Sequence, residues 1–380
     1  MTSGMGGSLF ALEAEGLSVV LGGQKVLDVP SLQVYPNEVL MVIGPNGSGK
    51  TTLLLCLASL LRPTTGKISY KGITAPDSRH VLELRRRLAV VFQEPLLLNS
   101  TVWDNVTLGL RLRGVRSDEA RTKAQKWLDR FGVAHLAKRQ ARMLSSGEGK
   151  RVSLARAFVL QPEVLFLDEP FNALDIPTRQ ALLEDFESVL RETKITTVMV
   201  THDRNEALVL ANRVAVLING SISQLGAPDE VFCSPADEEV ASFVEAGNIL
   251  HGTVSSQNTG LALIDIQGHQ LQAVSDLATG SKVTVYLQYE DVTISLPSIE
   301  PASTSARNQF RGSIVRIFPF GSQLKVTLDC GFNLAAVITK RSWEELRLEI
   351  GQEVVATFKA SSAHLIPRLG QAIAKPKSNS

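Results

Sequence analysis

The sequence predicts an α/β domain over about residues 9–245, followed by two small all-β units over 248–296 and 305–367. Three observations carry this. The glycine-rich run Gly44-Pro45-Asn46-Gly47-Ser48-Gly49-Lys50-Thr51-Thr52 lies between the apolar runs Val39–Ile43 and Leu53–Leu57, so strand, loop and helix follow one another. Leu88–Phe92, Val164–Leu167 and Thr197–Val200 are further apolar runs that alternate with helical patterns, as buried parallel strands do. After about residue 248 short β-type runs recur between close turn signals and helical patterns nearly vanish, which is the texture of small barrels.

In chain order, residues 1–8 read as a flexible N-terminus of small, uncharged residues without the basic and apolar blocks of a signal peptide. Between Glu94 and Gln161 the pattern turns helical and charged, which predicts a helical subdomain inserted at about 94–161. The segment Leu296–Ala306 is rich in Pro, Ser and Thr and predicts a linker centred on 297–304. The two β units repeat weakly. Gly252-Thr253-Val254 matches Gly312-Ser313-Ile314, and Gly280-Ser281-Lys282-Val283 matches Gly351-Gln352-Glu353-Val354. Units this small need each other, or another subunit, for a full core. Residues 368–380 read as a flexible tail.

Composition narrows the class. A chain of 380 residues suggests two or three domains, and 44% apolar with 20% charged residues is ordinary for a globular protein. A net charge of +1 argues against a nucleic-acid partner held by bulk charge. No run approaches the roughly eighteen consecutive apolar residues of a membrane-spanning helix. Cys56, Cys233 and Cys330 show no metal spacing and are expected to be buried, reduced thiols.

The glycine run fits the phosphate-binding pattern G-x-x-x-x-G-K-[ST]. Its glycines let backbone N–H groups curl around a phosphate, Lys50 adds positive charge, Thr51 offers a hydroxyl to Mg²⁺, and the following helix turns its N-terminus on the anion. Downstream, Val164–Leu167 ends in Asp168 and Glu169. An acid at a strand end can hold Mg²⁺, and its neighbour is placed to polarise an attacking water. Leu144-Ser145-Ser146-Gly147-Glu148 opens a helix, a second seat for an anion.

The order of these pieces is specific. The phosphate loop comes first, then Gln93 in Val91-Phe92-Gln93-Glu94-Pro95, the Ser145–Glu148 segment, Asp168-Glu169, Ala173-Leu174-Asp175 and Thr201-His202-Asp203. Over about residues 9–245 the chain resembles the ATPase subunit of ABC transporters. The resemblance implies ATP and Mg²⁺ as ligands, with ATP on Gly44–Thr52 and the metal near Thr51, Gln93 and Asp168. It further implies that Gln93 senses the γ-phosphate and faces a membrane permease. Ser145, Ser146, Gly147 and Glu148 would reach ATP bound by a second copy, and Asp175 would link the two sites. Glu169 would be the base, with His202 and Lys50 on the γ-phosphate.

Two departures stand out. The family signature has glycine where Ser146 stands, and a Cβ at a close phosphate approach is expected to slow turnover. An aromatic residue usually stacks on adenine where Leu21 aligns, and such stacking is worth roughly 1–3 kcal/mol.

The β region is similar to the transport-associated OB-like (TOBE) barrels on many importer ATPases, and residues 305–367 are similar to the molybdate-binding Mop domains. Ser305, Arg307, Asn308, Lys359 and Ser361 supply hydroxyl, amide and cationic groups suited to a tetrahedral dianion. The resemblance as a whole implies the ATPase of an importer for molybdate or tungstate. It would be a homodimer peripheral on the cytoplasmic face of the membrane, under permease subunits fed by an extracytoplasmic binding protein. Sulfate, ferric iron, polyamines and sugars are the alternative cargoes. A soluble ABC ATPase of DNA repair or translation would carry a second ATPase unit or a coiled-coil insertion, and an anion-sensing regulator a helix-turn-helix; the sequence shows none of these.

Overall fold

A computed structural model describes residues 9–74, 81–244, 247–297 and 305–368. The expected N-terminus 1–8, most of the expected linker and nearly all of the expected tail lie outside the described residues. Contacts divide the chain into two units, Met1–Pro228 and Asp229–Ser380.

In the first unit, β1 (Leu12–Leu21) and β2 (Gln24–Val34) form a hairpin. Its turn is Gly22-Gly23, both at positive φ, where only glycine is unstrained. β3 (Val39–Ile43) is buried along its whole length, as expected of a central parallel strand, and α1 (Lys50–Leu57) follows it. β4 (Thr65–Tyr70) and β5 (Ile73–Thr74) complete a sheet of order β2-β1-β4-β5. Then come α2 (Val81–Arg86) and β6 (Leu88–Val91). The inserted helices are α3 (Val102–Leu112), α4 (Ser117–Arg130) and α5 (Ser146–Phe158). The unit closes with β7 (Val164–Asp168), α6 (Ile176–Thr193), β8 (Thr196–Val200), α7 (Arg204–Leu210), β9 (Arg213–Ile218) and β10 (Ser221–Gly226).

The second sheet has the order β10-β9-β3-β8-β7-β6, parallel except for β10. The adjacent strands β3, β8 and β7 therefore release their chains at one edge, where open α/β sheets bind ligands. Leu40, Val42, Phe166, Val198, Leu53 and Leu54 fill the core beneath. The helical insertion is fastened by an aromatic chain. Trp127 of α4 lies 4.9 Å from Phe158 of α5, Phe158 lies 6.1 Å from Phe186 of α6, and Phe186 lies 5.6 Å from Phe171 just beyond β7.

The second unit begins with α8 (Pro228–Cys233) and α9 (Glu238–Val244). The sequence placed these helices at the end of the α/β domain. Their contacts lie with the β-strands instead: Phe232 O accepts from Tyr286 Oη at 3.2 Å and from Gln288 Nε2 at 3.1 Å, and Glu238 accepts from Thr284 at 3.0 Å. Cys56 and Cys330 are buried as expected, but Cys233 is exposed. The strands are β11 (Gly247–Asn258), β12 (Leu261–Ile266), β13 (His269–Val274), β14 (Lys282–Gln288), β15 (Thr293–Ser295), β16 (Asn308–Phe320), β17 (Gln323–Asp329), β18 (Asn333–Thr339), β19 (Glu353–Phe358) and β20 (His364–Pro367), with α10 (Lys340–Leu346) after β18.

The expected repeat is present in detail. The amide of Val254 bonds Ser281 O at 2.9 Å and its carbonyl takes Gly280 N at 2.8 Å; Ile314 does the same with Gln352 O at 2.9 Å and Gly351 N at 2.7 Å. Gly280 and Gly351 share a φ of 89°. The halves are nonetheless interleaved rather than consecutive. The sheets run β13-β12-β11-β14-β20 and β15-β19-β16-β17-β18, so each half gives its last strand to the other. One apolar core, from Val254, Ile264 and Val285 to Ile314, Val326 and Phe358, joins both sheets.

Candidate functional site

The phosphate loop is built by steric necessity. A Cβ on Gly44 would sit 2.0 Å from Leu217 O, and one on Gly49 would sit 2.8 Å from Val26 O, at a φ of 99°. From outside, the turn at Gly220 bonds Ser48 O at 3.1 Å and takes the amide of Asp28 at 2.7 Å. Lys50 is 7% exposed and folds back on the loop, donating to Gly44 O and Pro45 O at 2.9 Å each. Ser48 Oγ is buried with no hydrogen-bond partner among the described residues, a hydroxyl suited to a phosphate oxygen.

At the end of β7, Asp168 is 6% exposed and accepts from Thr51 Oγ1 at 3.2 Å. Burial, then the neighbouring Glu169 charge, pushes its carboxyl up, with Thr51, Lys50 and Lys150 opposing. Burial pushes the Lys50 ammonium down, against the pull of Glu169 and Asp168. Among the described residues no ion pair neutralises Asp168. A hydroxyl and an unpaired buried carboxylate form the all-oxygen donor set of a hard divalent cation, which fits Mg²⁺.

Glu169 has a φ of 43°, a left-handed conformation uncommon for a residue with a side chain. Its amide is tied to Val200 O at 2.9 Å. One carboxylate oxygen accepts from Asn172 Nδ2 at 2.8 Å and the other lies 3.2 Å from His202 Nδ1. The strand ends thus bring together Lys50, Thr51, Asp168, Glu169 and His202.

No hydrogen bond or ion pair among the described residues joins the side chains of the remaining predicted residues to this group. Gln93 is exposed, and its backbone carbonyl accepts from the buried ammonium of Lys150. Arg156 holds Pro95 O and Leu96 O at 2.8 and 2.9 Å, so α5 fixes the whole Gln93 loop. Ser145 caps α5 in a reciprocal box: its hydroxyl takes Glu148 N at 3.3 Å and Glu148 takes its amide at 2.7 Å. Ser146 is exposed in the first turn, while Gly147 is the crowded glycine, with Thr178 Cγ2 2.9 Å from any Cβ. Ser145–Glu148 line a separate open groove of about 660 Å³ together with Asp175, which caps α6 by accepting from Thr178 N at 3.0 Å. The structure joins the signature to Asp175, not to the phosphate loop of its own chain. Leu21 is exposed at the end of β1.

Sequence reasoning missed Lys150, Asn172, Arg179, Glu206 and Gly220. Lys150 and Glu206 carried a faint signal, since each is a charged residue set among positions whose helical spacing faces inward.

Of the proposed oxyanion residues, Asn308 is not a free donor. Asn308 is 3% exposed; its Oδ1 takes Gln272 N at 2.7 Å and its Nδ2 bonds Gln272 O at 2.9 Å. Its amide is spent on β13, which corrects its assignment as an anion ligand. Asn248 stands at the equivalent place in the other half and clasps Ala335 of β18 in the same way, at 2.6 and 2.9 Å. Ser305, Arg307, Lys359 and Ser361 are exposed.

The fold and this site define a phosphate-loop ATPase carrying an all-β C-terminal unit. The family model described as ABC transporter matches residues 27–172, and the TOBE domain model matches 304–365. The molybdate/tungstate import ATP-binding protein WtpC of Pyrococcus horikoshii is 35% identical over 89% of this chain and 94% of its own. The sulfate/thiosulfate import ATP-binding protein CysA of Nitrosomonas europaea is 32% identical over 95% and 98%. Among solved structures, a dimeric post-hydrolysis state of the ATP-binding cassette MJ0796 with ADP and Pi superimposes with a TM-score of 0.53 at 27% identity, covering 57% of this chain and 98% of that one. The chain belongs to the ATP-binding subunits of ABC transporters, and it is an ATPase of that family. No described helix is long and apolar enough to cross a membrane.

Proposed function

We propose that this chain drives import of molybdate or tungstate by hydrolysing ATP as a homodimer. It would sit beneath membrane permeases on the cytoplasmic face, with an extracytoplasmic protein delivering cargo. The observation that carries the cargo assignment is the likeness to the molybdate/tungstate relative, which runs through both units rather than the ATPase alone. The similar likeness to a sulfate/thiosulfate protein supports a second reading, sulfate, through the same tetrahedral-dianion chemistry.

The placement of side chains supports the following chemistry. ATP lies with its phosphates in Gly44–Thr52, and Lys50 neutralises charge on the β- and γ-phosphates. Thr51, Asp168 and Gln93 would hold Mg²⁺, which supplies charge neutralisation at the phosphate oxygens. Glu169 accepts a proton from the attacking water, and His202 beside it holds the γ-phosphate in line. Ser145–Glu148 line a groove that includes no phosphate-loop residue; as the family resemblance implies, a facing copy would supply them, and hydrolysis would then require two subunits to close. Exposed Ser305, Arg307, Lys359 and Ser361 could meet a regulatory oxyanion through surface charge.

The test is uptake of radiolabelled molybdate, tungstate and sulfate by cells with the gene deleted and restored. Molybdate and tungstate uptake should vanish on deletion and return on restoration. Intact uptake of both, with sulfate uptake lost, assigns the transporter to sulfate.

A further inference from the structure

Behind His202 lies a charged network that none of these roles uses. Glu206, in the first turn of α7, is 2% exposed. Its Oε2 accepts from Thr201 Oγ1 at 2.5 Å, and its Oε1 accepts from Arg179 Nη2 and Nε at 2.7 and 3.2 Å. Asp203 caps α7 by taking Glu206 N at 3.0 Å, donates its own amide to Thr201 Oγ1 at 3.0 Å, and accepts from Arg179 Nη2 through its other oxygen. Both chain neighbours of His202 are thus tied into one net, and Arg179 is the cation that forms ion pairs with both of its carboxylates.

Arg179 belongs to α6. Its backbone amide donates to Asp175 O at 2.9 Å, the residue that caps this helix. One helical turn therefore separates the guanidinium that grips the His202 loop from the residue that lines the signature groove. Arg179, Glu206, Thr201, His202 and Glu169 also share a cavity of about 110 Å³ with Ala173 and Leu174 of the intervening loop.

We propose that Arg179 is a positioning residue for hydrolysis, fixing the His202 imidazole beside Glu169 and tying that position to the start of α6. A planar guanidinium can grip two carboxylates at once, which a flexible ammonium does not do as well. Glu206 cannot be left buried and unpaired without large cost, so the net exists only with the cation in place. Burial pushes the Glu206 carboxyl up while Thr201 and Arg179 oppose it, in keeping with that dependence. The inference rests on the proposed role of His202.

The experiment is steady-state ATPase of the full chain with Arg179→Ala, Arg179→Lys, His202→Ala and the double alanine variant, each checked by thermal melting. Arg179→Ala should lower kcat about 10–100-fold, the scale of a misplaced catalytic group, with KM for ATP little changed. Arg179→Lys should recover part of the loss. In the His202→Ala background, Arg179→Ala should add no further loss, because both act through the same imidazole. Should Arg179→Ala not fold, Glu206→Gln, of the same shape, must lower kcat in the same direction. Unchanged kcat in Arg179→Ala, or losses that multiply in the double variant, overturns the inference alone. Full turnover by His202→Ala overturns the role of His202 and the inference with it.

Discussion

The candidate sites of the two units treat their buried polar groups in opposite ways. In the ATPase unit, Lys50 and Asp168 are buried close to one another with their proton affinities pushed from ordinary values, down for the ammonium and up for the carboxyl. In the β unit, Asn248 and Asn308 are buried as deeply, yet both ends of each amide are bonded to a strand of the opposite half. Perturbed, incompletely neutralised groups gathered at strand ends mark chemistry. Satisfied groups that recur at equivalent places of a repeat mark architecture. The difference assigns catalysis to one unit and makes the deepest candidate anion ligand of the other a structural clasp.

The largest expected effect tests the first half of that comparison. Glu169→Gln should cost turnover about 10²–10⁴-fold, the worth of a positioned general base, while ATP binding and the ATP-held dimer persist. A phosphate-release assay beside nucleotide binding decides it, and wild-type turnover would remove Glu169 as the base.

The next effect tests the second half. Asn308→Ala strands the amide and carbonyl of Gln272, and Asn248→Ala strands those of Ala335. Each should cost about 1–3 kcal/mol of stability, the usual penalty for a buried polar group without its partner. Thermal melting of the two single variants is the measurement. Equal losses support paired clasps. A melting point unchanged in Asn308→Ala, together with lost molybdate binding, would return Asn308 to the ligand set.

A smaller effect concerns the exposed cationic residues. If the β unit takes an oxyanion through surface charge, Arg307→Ala combined with Lys359→Ala should weaken molybdate and tungstate binding to the full chain about tenfold, near 1.4 kcal/mol. Calorimetry that detects no binding even to the unaltered chain leaves the β unit purely architectural and sharpens the contrast further.

How much of this was legible in the sequence depended on locality. The phosphate loop and its flanking strand and helix are contiguous, so Gly44–Thr52 announces itself, and the alternating apolar runs predict the sheet that carries it. The repeat was visible because Gly252 and Gly312, then Gly280 and Gly351, hold turns and close contacts that only glycine fits. The strand exchange was not, because β15 and β20 are short and a strand's sequence does not name its partner. Arg179 meets Asp203 and Glu206 from 24 and 27 residues away, a pairing no local pattern marks. Asn308 was misassigned for a related reason: residue type tells what an amide can bond, while only the fold tells whether a strand has already bonded it.

The smallest effect concerns Ser146, where the family signature has glycine. Within this chain the residue is unstrained: it is exposed, in the first helical turn, with no positive φ. The capping box spends the amides of Ser145 and Glu148 internally and leaves those of Ser146 and Gly147 as the first-turn donors facing outward. Any penalty from the Ser146 Cβ therefore falls on the approach of a phosphate from the facing copy, not on folding. Ser146→Gly should leave the melting temperature nearly unchanged and raise kcat of the dimer by less than about tenfold, under 1.4 kcal/mol in barrier. Glycine also frays a helix start slightly, which works against the gain. If the substitution instead lowers kcat tenfold or more with stability intact, the Ser146 hydroxyl is itself a phosphate ligand, and the signature of this chain uses a side chain where glycine-bearing signatures use backbone alone.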